Sequence, residues 1–346
     1  MVKDKQFYRS LFIVALPAAF QGLISMGVNM LDNLMVGALG DVTLASVSLA
    51  NQATTLFTFL VNGIGGGAAV LISQYWGKKD YDRIRRIFGV ILRFAAIVSF
   101  IVCGLVFFFP RQTMRIFTND LGMIAEGAKY VRIVCLSYPL FAMANTMVVM
   151  LRWMEIVRIG LLISSISLVC NFCFNYLLIF GHLGFPALGA EGAAIATVIA
   201  RLFELCIAAY YLFFREQRVR FRLRNFLTWD REMTGDFFRH SLPIIAGDSQ
   251  WGLVGAAKAM LIGRLGVSMV SANSIADVFL SLARIFTDGL ANGACVVIGK
   301  SVGEKDYVRT RQYSNTIQIL FACLGVLVSG TVILMSFTVP YLYNVT

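Results

Sequence analysis

The chain has 346 residues, of which 58% are hydrophobic and 14% are charged, and its formal net charge is +11. A soluble domain carries roughly a quarter charged residues, so this composition excludes a soluble globular protein and indicates an integral membrane protein. The apolar runs have the length of helices, which excludes a membrane β-barrel. The positive charge lies in short loops, which is typical of cytoplasmic loops and argues against nucleic-acid binding.

Apolar stretches long enough for the ~20 residues that cross a bilayer recur along the whole chain. The predicted spans are residues 11–39, 45–75, 87–109, 128–151, 159–180, 193–214, 241–265, 270–300 and 315–339. Every second loop is basic, such as the loop with Arg152 and Arg158 after span four, whereas the intervening loops carry almost no charge. Because positively charged loops stay in the cytoplasm, we predict a multi-pass protein of the cell (inner) membrane with a cytoplasmic N-terminus.

A repeat relates two parts of the chain. Residues 76–86, WGKKDYDRIRR, return as residues 302–312, VGEKDYVRTRQ, and other identities fall on the same gapless offset of 226 positions. This register predicts a duplication. Six spans per copy make both copies enter the membrane in the same direction, an arrangement typical of transporters with the substrate path between the halves. Residues 121–224 have no counterpart, so we expect a second copy without its last three spans.

Four stretches resemble the multidrug and toxic-compound extrusion (MATE) family. They are residues 16–40 (LPAAFQGLISMGVNMLDNLMVGALG), 65–80 (GGGAAVLISQYWGKKD), 171–197 (NFCFNYLLIFGHLGFPALGAEGAAIAT) and 289–306 (GLANGACVVIGKSVGEKD). The resemblance implies an all-α integral membrane protein, a two-lobe helix bundle with a central cavity, here with about nine transmembrane helices and an incomplete second lobe. We expect an N-lobe of six spans at residues 1–214, a basic cytoplasmic linker at 215–240, and a partial C-lobe of three spans at 241–346.

The same resemblance implies a function. Members of the family exchange an outgoing organic cation or drug for incoming Na⁺ or H⁺, so we predict a cation-coupled antiporter. Its expected partners are small organic cations or drugs and membrane lipids, with no nucleic acid, no cofactor beyond the coupling ion, and a monomeric state if the chain is full length. No nucleophile–base arrangement is visible, so we do not expect an enzyme. Two alternatives stay open: a flippase for lipid intermediates with the same fold, and a truncated membrane protein that does not transport.

Asp32 lies inside the first predicted span and continues a polar stripe with Ser25 and Asn29 at helical spacing. A carboxylate in the membrane is costly unless it faces a cavity or a partner, so we interpret Asp32 as a functional residue that binds and releases a cation or a proton. The structural alternative is that Asp32 ties helices together by hydrogen bonds.

The resemblance to the MATE family implies partners for Asp32 in ion coupling, which match Asn171 and Asn175 on span five and Thr197 on span six. Many relatives carry Asp where this chain has Asn175, so the site has one carboxylate fewer. Hard cations prefer several charged oxygens, so this difference weakens the case for tight Na⁺ binding. A structural role for the two asparagines, joining helices by hydrogen bonds, stays open.

Three further side chains are candidates for recognising a cationic substrate. Asn29 belongs to the stripe of Asp32, and Asp248 lies on span seven where relatives often carry a carboxylate. Asp277 lies on a polar stripe of span eight with Arg284 and Asp288, which are one turn apart and can neutralise each other. The alternative for this stripe is a closed ion-pair network, and for Asp248 it is a structural role.

Two other patterns favour a structural interpretation. Arg201 and Glu204 are three residues apart on span six and are expected to neutralise each other. A methionine stripe on span four suits a flexible drug cavity, but ordinary packing explains it better; its members are Met143, Met147, Met150 and Met154.

Overall fold

The computed structural model describes residues 4–222, 230–263 and 267–343. Within these ranges the regular structure is helical, with a 3₁₀ turn at His182–Gly184 and a π-helical turn at Tyr211–Arg215. The α-helices are α1 Lys5–Gly37, α2 Asp41–Gly77, α3 Tyr81–Phe108, α4 Pro110–Arg115, α5 Leu121–Val134, α6 Ser137–Trp153, α7 Arg158–Phe180, α8 Ala190–Tyr210, α9 Arg231–Gly263, α10 Val267–Gly303 and α11 Tyr307–Tyr343.

Most of these helices are built to cross a membrane. Within the described residues, seven are long and apolar enough, namely α1, α2, α3, α7, α8, α10 and α11. Helices α5 and α6 together form an eighth candidate that is bent by 48° at the break between them, so predicted span four is a bent pair. Helix α9 has 33 residues and is long enough, but its described part does not reach the hydropathy of the other spans.

Helix α9 begins ten residues before the predicted span seven, so residues 231–240 of the predicted linker are helical. Asp230 explains this start, because its carboxylate accepts a hydrogen bond from the backbone N–H of Met233 at 3.1 Å. Such capping satisfies one of the N–H groups that the first turn of a helix leaves without a partner. Asp4 caps α1 in the same way, by accepting from the N–H of Gln6 at 2.8 Å.

The bounds of the helices repeat at the same offset as the sequence. Three pairs of helix ends are each separated by 226 residues: Lys5 and Arg231, Gly77 and Gly303, Tyr81 and Tyr307. The connecting turns repeat as well, because Lys79 and Lys305 both have positive φ, at 57° and 60°. The predicted repeat is thereby confirmed, and we call α1–α8 the first repeat unit and α9–α11 the second.

The two repeat units contact each other through equivalent surfaces. Helix α1 packs along α10 as α9 packs along α2, and these are the most extensive helix contacts in the described chain. Helices α2 and α10 also cross at their ends: a Cβ added to Gly77 would lie 2.3 Å from the Lys300 carbonyl oxygen, and one added to Gly303 would lie 2.2 Å from that of Gln74. These two contacts are related by the repeat, so glycine is required for a close approach on both sides of a pseudo-two-fold axis.

The main core is centred on the first repeat unit, where α2, α3, α6, α7 and α8 bury a continuous apolar cluster that residues of α9 and α10 join from the second unit. Three members of the methionine stripe are buried in it, with exposures of 2% or less: Met147, Met150 and Met154. The packing interpretation of this stripe is therefore confirmed. The repeat turns and the last turns of α6 and α8 all lie at one end of the bundle, which carries most of the Lys and Arg residues, and we call it the basic end.

Candidate functional site

Asp32 meets both predicted asparagines between α1 and α7. Asn171 and Asn175 lie one turn apart on α7, which packs along α1, so their amides face the carboxylate on the neighbouring helix. The Nδ2 group of Asn175 donates to Oδ1 of Asp32 and also to Oδ1 of Asn171, the latter at 3.0 Å. The structure thus brings three of the four predicted coupling residues into one hydrogen-bonded cluster.

This cluster contains an oxygen without a hydrogen-bond donor. Asn175 is fully buried, and within the described residues its Oδ1 accepts no hydrogen bond. Leaving a buried acceptor without a donor costs about 1–3 kcal/mol, so such an atom in a polar cluster calls for an explanation. Asp32 itself is only partly buried, which leaves its carboxylate open to a proton or a small cation.

Thr197, the fourth predicted coupling residue, lies on α8 but takes no direct part in this cluster. Its hydroxyl donates to the carbonyl oxygen of Ala193 within its own helix at 3.0 Å. Within the part of the chain that the structure describes, no hydrogen bond joins Thr197 to Asp32 or to the asparagines. Its oxygen can still accept, so the role implied by the resemblance stays a prediction.

A positive charge lies close to the cluster, on α8. Arg201 forms the predicted pair with Glu204, with its Nη1 atom 2.8 Å from both carboxylate oxygens, and this confirms the interpretation of the two residues as an ion pair. The Arg201 guanidinium also stacks over the Phe141 ring, 4.8 Å from its centroid, and lies within electrostatic reach of Asp32. The carboxylate of Glu204 thus offsets part of the positive charge that Asp32 experiences.

Tyr130 is a neighbour of Asp32 that the sequence analysis missed. It is buried on α5 within electrostatic reach of Asp32, and its hydroxyl donates to Oδ1 of Asn51 on α2 at 3.3 Å. No sequence signal singles it out, because a tyrosine in an apolar span is usually a packing residue. The contact extends the polar cluster from α1 and α7 towards α5 and α2.

A second set of charged side chains lies on α9 and α10 and includes the predicted substrate residue Asp248. Asp248 is half-buried on α9, facing the glycines of α2. The Arg284 guanidinium lies 5.3 Å from the centroid of the Trp251 ring, and its Nε is 3.9 Å from Oδ2 of Asp288. That ion pair is loose, because both side chains are more than half exposed, at 53% and 64%. The side chain of Asp277 lies outside the described part of the structure.

Asn29 is exposed on α1, about one turn before Asp32. Among the described residues, no hydrogen bond joins Asn29 to the Asp32 cluster or to the acidic side chains of α9 and α10. Its predicted role in substrate recognition stays a prediction.

Polar contacts also bridge the two repeat units. Arg152 was counted with the basic loops, but it belongs to the last turn of α6 and points into the bundle. It donates to Oε1 of Gln21 on α1 at 2.5 Å and to Oδ1 of Asn292 on α10 at 3.2 Å. At the basic end, Nζ of Lys300 lies 2.9 and 3.1 Å from the two carboxylate oxygens of Glu155.

Comparison with known proteins identifies the family of this arrangement. The profile of the MatE family matches residues 17–177 and 249–345, which cover parts of both repeat units and the segments that carry Asp32, Asn171 and Asn175. The chain belongs to the MatE family. It is therefore a multi-pass membrane protein of a transporter family, which is not a class of enzymes.

Curated MatE relatives are similar over most of this chain. A probable multidrug resistance protein NorM of Agrobacterium fabrum is 27% identical over 310 residues, which are 87% of this chain and 64% of the relative. A multidrug resistance protein NorM of Vibrio vulnificus is 24% identical over 313 residues, 88% of this chain and 67% of the relative. The chain thus spans about two thirds of the length of these relatives.

Solved MATE structures share the fold. A multidrug resistance MATE family transporter in an outward-facing conformation superposes with a TM-score of 0.85 at 19% identity, covering 99% of this chain and 76% of that chain. A MOP superfamily transporter from Pyrococcus furiosus gives 0.85 at 19% identity, with 100% and 77% covered. The predicted all-α MATE-type fold is confirmed by these superpositions.

Proposed function

We propose that this MatE chain takes part in cation-coupled export of drugs or other organic cations, with Asp32 as the coupling residue. The observation that carries the proposal is the bond from Asn175 to Asp32, formed by an amide whose own oxygen is buried without a donor. The names of the curated relatives, multidrug resistance proteins, support the substrate class.

The hydrogen bonds explain how the charge state of Asp32 could change the packing of α1 on α7. An ionised carboxylate only accepts hydrogen bonds, and here it accepts from Asn175. A protonated carboxyl also carries an O–H donor, which is the group that Oδ1 of Asn175 lacks. Protonation therefore favours a different set of contacts between the two helices, and a cation couples to transport only if it binds two states differently.

We favour H⁺ over Na⁺ as the coupling ion. The cluster offers one carboxylate and two amides, whereas a hard cation such as Na⁺ is held best by several oxygens with more negative charge. The nearby guanidinium of Arg201, which Glu204 only partly offsets, opposes a bound metal cation further. If Na⁺ were bound instead, the oxygens of Asn171 and Thr197 would be its further ligands beside the Asp32 carboxylate. The experiment below therefore tests a proton gradient and a Na⁺ gradient side by side.

The test uses the purified chain in liposomes with a fluorescent organic cation such as ethidium. We expect an imposed proton gradient to drive dye exchange, a Na⁺ gradient to have little effect, and Asp32→Asn to reduce exchange to the level of empty liposomes. The control is Asp82→Asn, which makes the same chemical change at an exposed carboxylate on α3. If both variants exchanged dye equally well, Asp32 would not be the coupling residue.

We propose that Asp248, together with Asn29 and the sequence-predicted Asp277, recognises the cationic part of the substrate. The half-buried Asp248 lies about one turn before the exposed Trp251, whose ring already holds the Arg284 guanidinium 5.3 Å from its centroid. This supports the proposal, because an organic cation that replaced the guanidinium would meet a carboxylate beside an aromatic face. We expect Asp248→Asn to weaken dye binding while leaving the response to the proton gradient intact. Unchanged dye binding in this variant would assign Asp248 a structural role.

We further propose that the chain lies in the inner membrane with its N-terminus and basic end in the cytoplasm. The concentration of Lys and Arg at one end of the bundle supports this orientation. In a background without native Cys, Lys79→Cys should be protected from an impermeant thiol reagent in intact cells, whereas Glu126→Cys should react. The reverse pattern would contradict the orientation.

A further inference from the structure

A cleft of about 1180 Å³ opens on the outside of the first repeat unit, at the basic end. It lies between the first half of α1, the turn from α6 to α7, and residues 211–218 after α8. The opposite face of α1 is not available, because Leu11 and Ala15 are buried against α10. The cleft is therefore distinct from the space between the repeat units and from the Asp32 cluster.

The wall of the cleft is apolar and faces the surroundings. Its side chains on α1 and α7 are each about half exposed, at 44–52%: Phe12, Ile13, Leu16 and Leu162. Exposed apolar side chains on a membrane span normally contact lipid tails rather than water. A concave apolar wall that begins at the membrane boundary has the shape to hold acyl chains.

The rim of the cleft carries four exposed arginines at the ends of three different spans. They are Arg9 at the start of α1, Arg158 at the start of α7, and Arg215 and Arg218 after α8. Among the residues that the structure describes, none of the four forms an ion pair. Because every one of these span ends belongs to the basic end, we expect the four guanidinium groups at the level of the lipid headgroups.

The two acidic residues of the cleft are occupied elsewhere. Glu155 pairs with Lys300 at 2.9 Å. Glu216 is buried, with 6% exposure, and accepts hydrogen bonds from the backbone N–H groups of Arg218 and Val219 at 3.1 and 2.8 Å. Neither carboxylate neutralises the arginines of the rim, so the cleft combines a strongly positive entrance with an apolar wall.

We propose that this cleft is a binding site for an anionic phospholipid, with the headgroup phosphate among the rim arginines and the acyl chains along the apolar wall. Guanidinium groups bind phosphate oxygens in pairs, and basic pockets between membrane helices bind anionic headgroups. A soluble phosphate would use the rim alone and gain nothing from the apolar wall. The proposal is independent of the transport function proposed above.

The test compares phosphatidylglycerol with phosphatidylcholine of the same acyl chains, titrated into the detergent-solubilised chain and followed by native mass spectrometry. Each basic residue near a membrane surface contributes roughly a fivefold gain in binding of anionic lipid, so Arg158→Gln with Arg215→Gln should weaken phosphatidylglycerol about 30-fold. Arg158→Lys with Arg215→Lys keeps the charge and should retain most of the binding, which shows that the fold tolerates both positions.

The matched control removes two exposed arginines from α4, at the opposite end of the bundle, as Arg111→Gln with Arg115→Gln. We expect this variant to bind phosphatidylglycerol like the unaltered chain. The proposal is overturned if the two double-glutamine variants bind equally, or if phosphatidylcholine binds as tightly as phosphatidylglycerol. It is also overturned if millimolar glycerol phosphate displaces the lipid, because the rim would then bind a soluble anion.

Discussion

Replacing Lys300 by Met should loosen the contact between the two repeat units at the basic end. The Nζ atom of Lys300 lies within 3.1 Å of both carboxylate oxygens of Glu155, and the Trp76 indole N–H lies 3.4 Å from one of them. The two charged side chains are 36% and 26% exposed, so water screens part of their attraction. Breaking a buried ion pair costs about 3–5 kcal/mol and breaking an exposed one about 0.2–1 kcal/mol. For this intermediate pair we expect about 1–2 kcal/mol.

An interaction free energy of about 1–2 kcal/mol changes the equilibrium between closed and open forms of the basic end roughly 5–30-fold. The native thiol of Cys295 on α10 reports the change, because it is partly buried against the core of the first repeat unit. With the other cysteines replaced, the rate of maleimide labelling at Cys295 should rise 5–30-fold in Lys300→Met. The Glu155→Gln variant should behave alike, and the double variant should add little, because both changes break one interaction.

The control is the exposed pair Glu126 and Lys129, which joins two residues of the same helix in the first repeat unit at 3.4 Å. Glu126→Gln with Lys129→Met removes the same charges without touching the contact between the units, so Cys295 should label at the wild-type rate. If Lys300→Met also labelled at the wild-type rate, the ion pair would not hold the basic end closed.

Two further predictions concern the packing of the bundle and the coupling site. Gly77→Ala places a Cβ 2.3 Å from the Lys300 carbonyl oxygen and should lower the free energy of unfolding by about 1–3 kcal/mol, which a thermal-shift assay would detect as a lower melting temperature. The control is Gly104→Ala, whose Cβ would have no atom within 4 Å and which should be neutral or slightly stabilising in that assay. Asn175→Asp adds a second carboxylate beside Asp32, so dye exchange in liposomes should gain a dependence on Na⁺; an unchanged response to Na⁺ would contradict the proposed reason for favouring H⁺.

Much of the fold follows from the sequence because the repeat is gapless. The offset of 226 residues, set by the motifs at residues 76–86 and 302–312, also relates the helix bounds. Hydropathy alone could not locate the start of α9, because its first turns are polar and depend on capping by Asp230. The break between α5 and α6 was also missed, because the apolar pattern of this predicted span runs on through the bend.

Parts of the candidate site could likewise be predicted from the sequence, and other parts could not. Asp32 was predicted from the cost of a carboxylate in an apolar helix. Its partner Asn175 was predicted from the resemblance to the MATE family, and the structure joins the two by a hydrogen bond. Tyr130 and Arg152 could not be predicted, because their importance depends on which helix faces they meet in the folded bundle. A buried polar side chain carries no local pattern when its partners are more than a hundred residues away in sequence, as with Arg152 and Gln21.

The repeat also shows which features of the duplicated helices are fixed by packing and which are free to differ. Three of the five glycines of α2, at positions 63, 67 and 77, recur in α10, where a Cβ would overlap the backbone of the neighbouring helix in either unit, as at Gly77 and Gly303. The polar residues of α1 do not recur: the position equivalent to Asp32 is Lys258, 226 residues later. One backbone arrangement therefore carries a carboxylate in the first unit and an ammonium group in the second. The cation-coupling role that we propose for Asp32 needs a carboxylate, so the equivalent position in the second unit, with its ammonium group, does not fit that role.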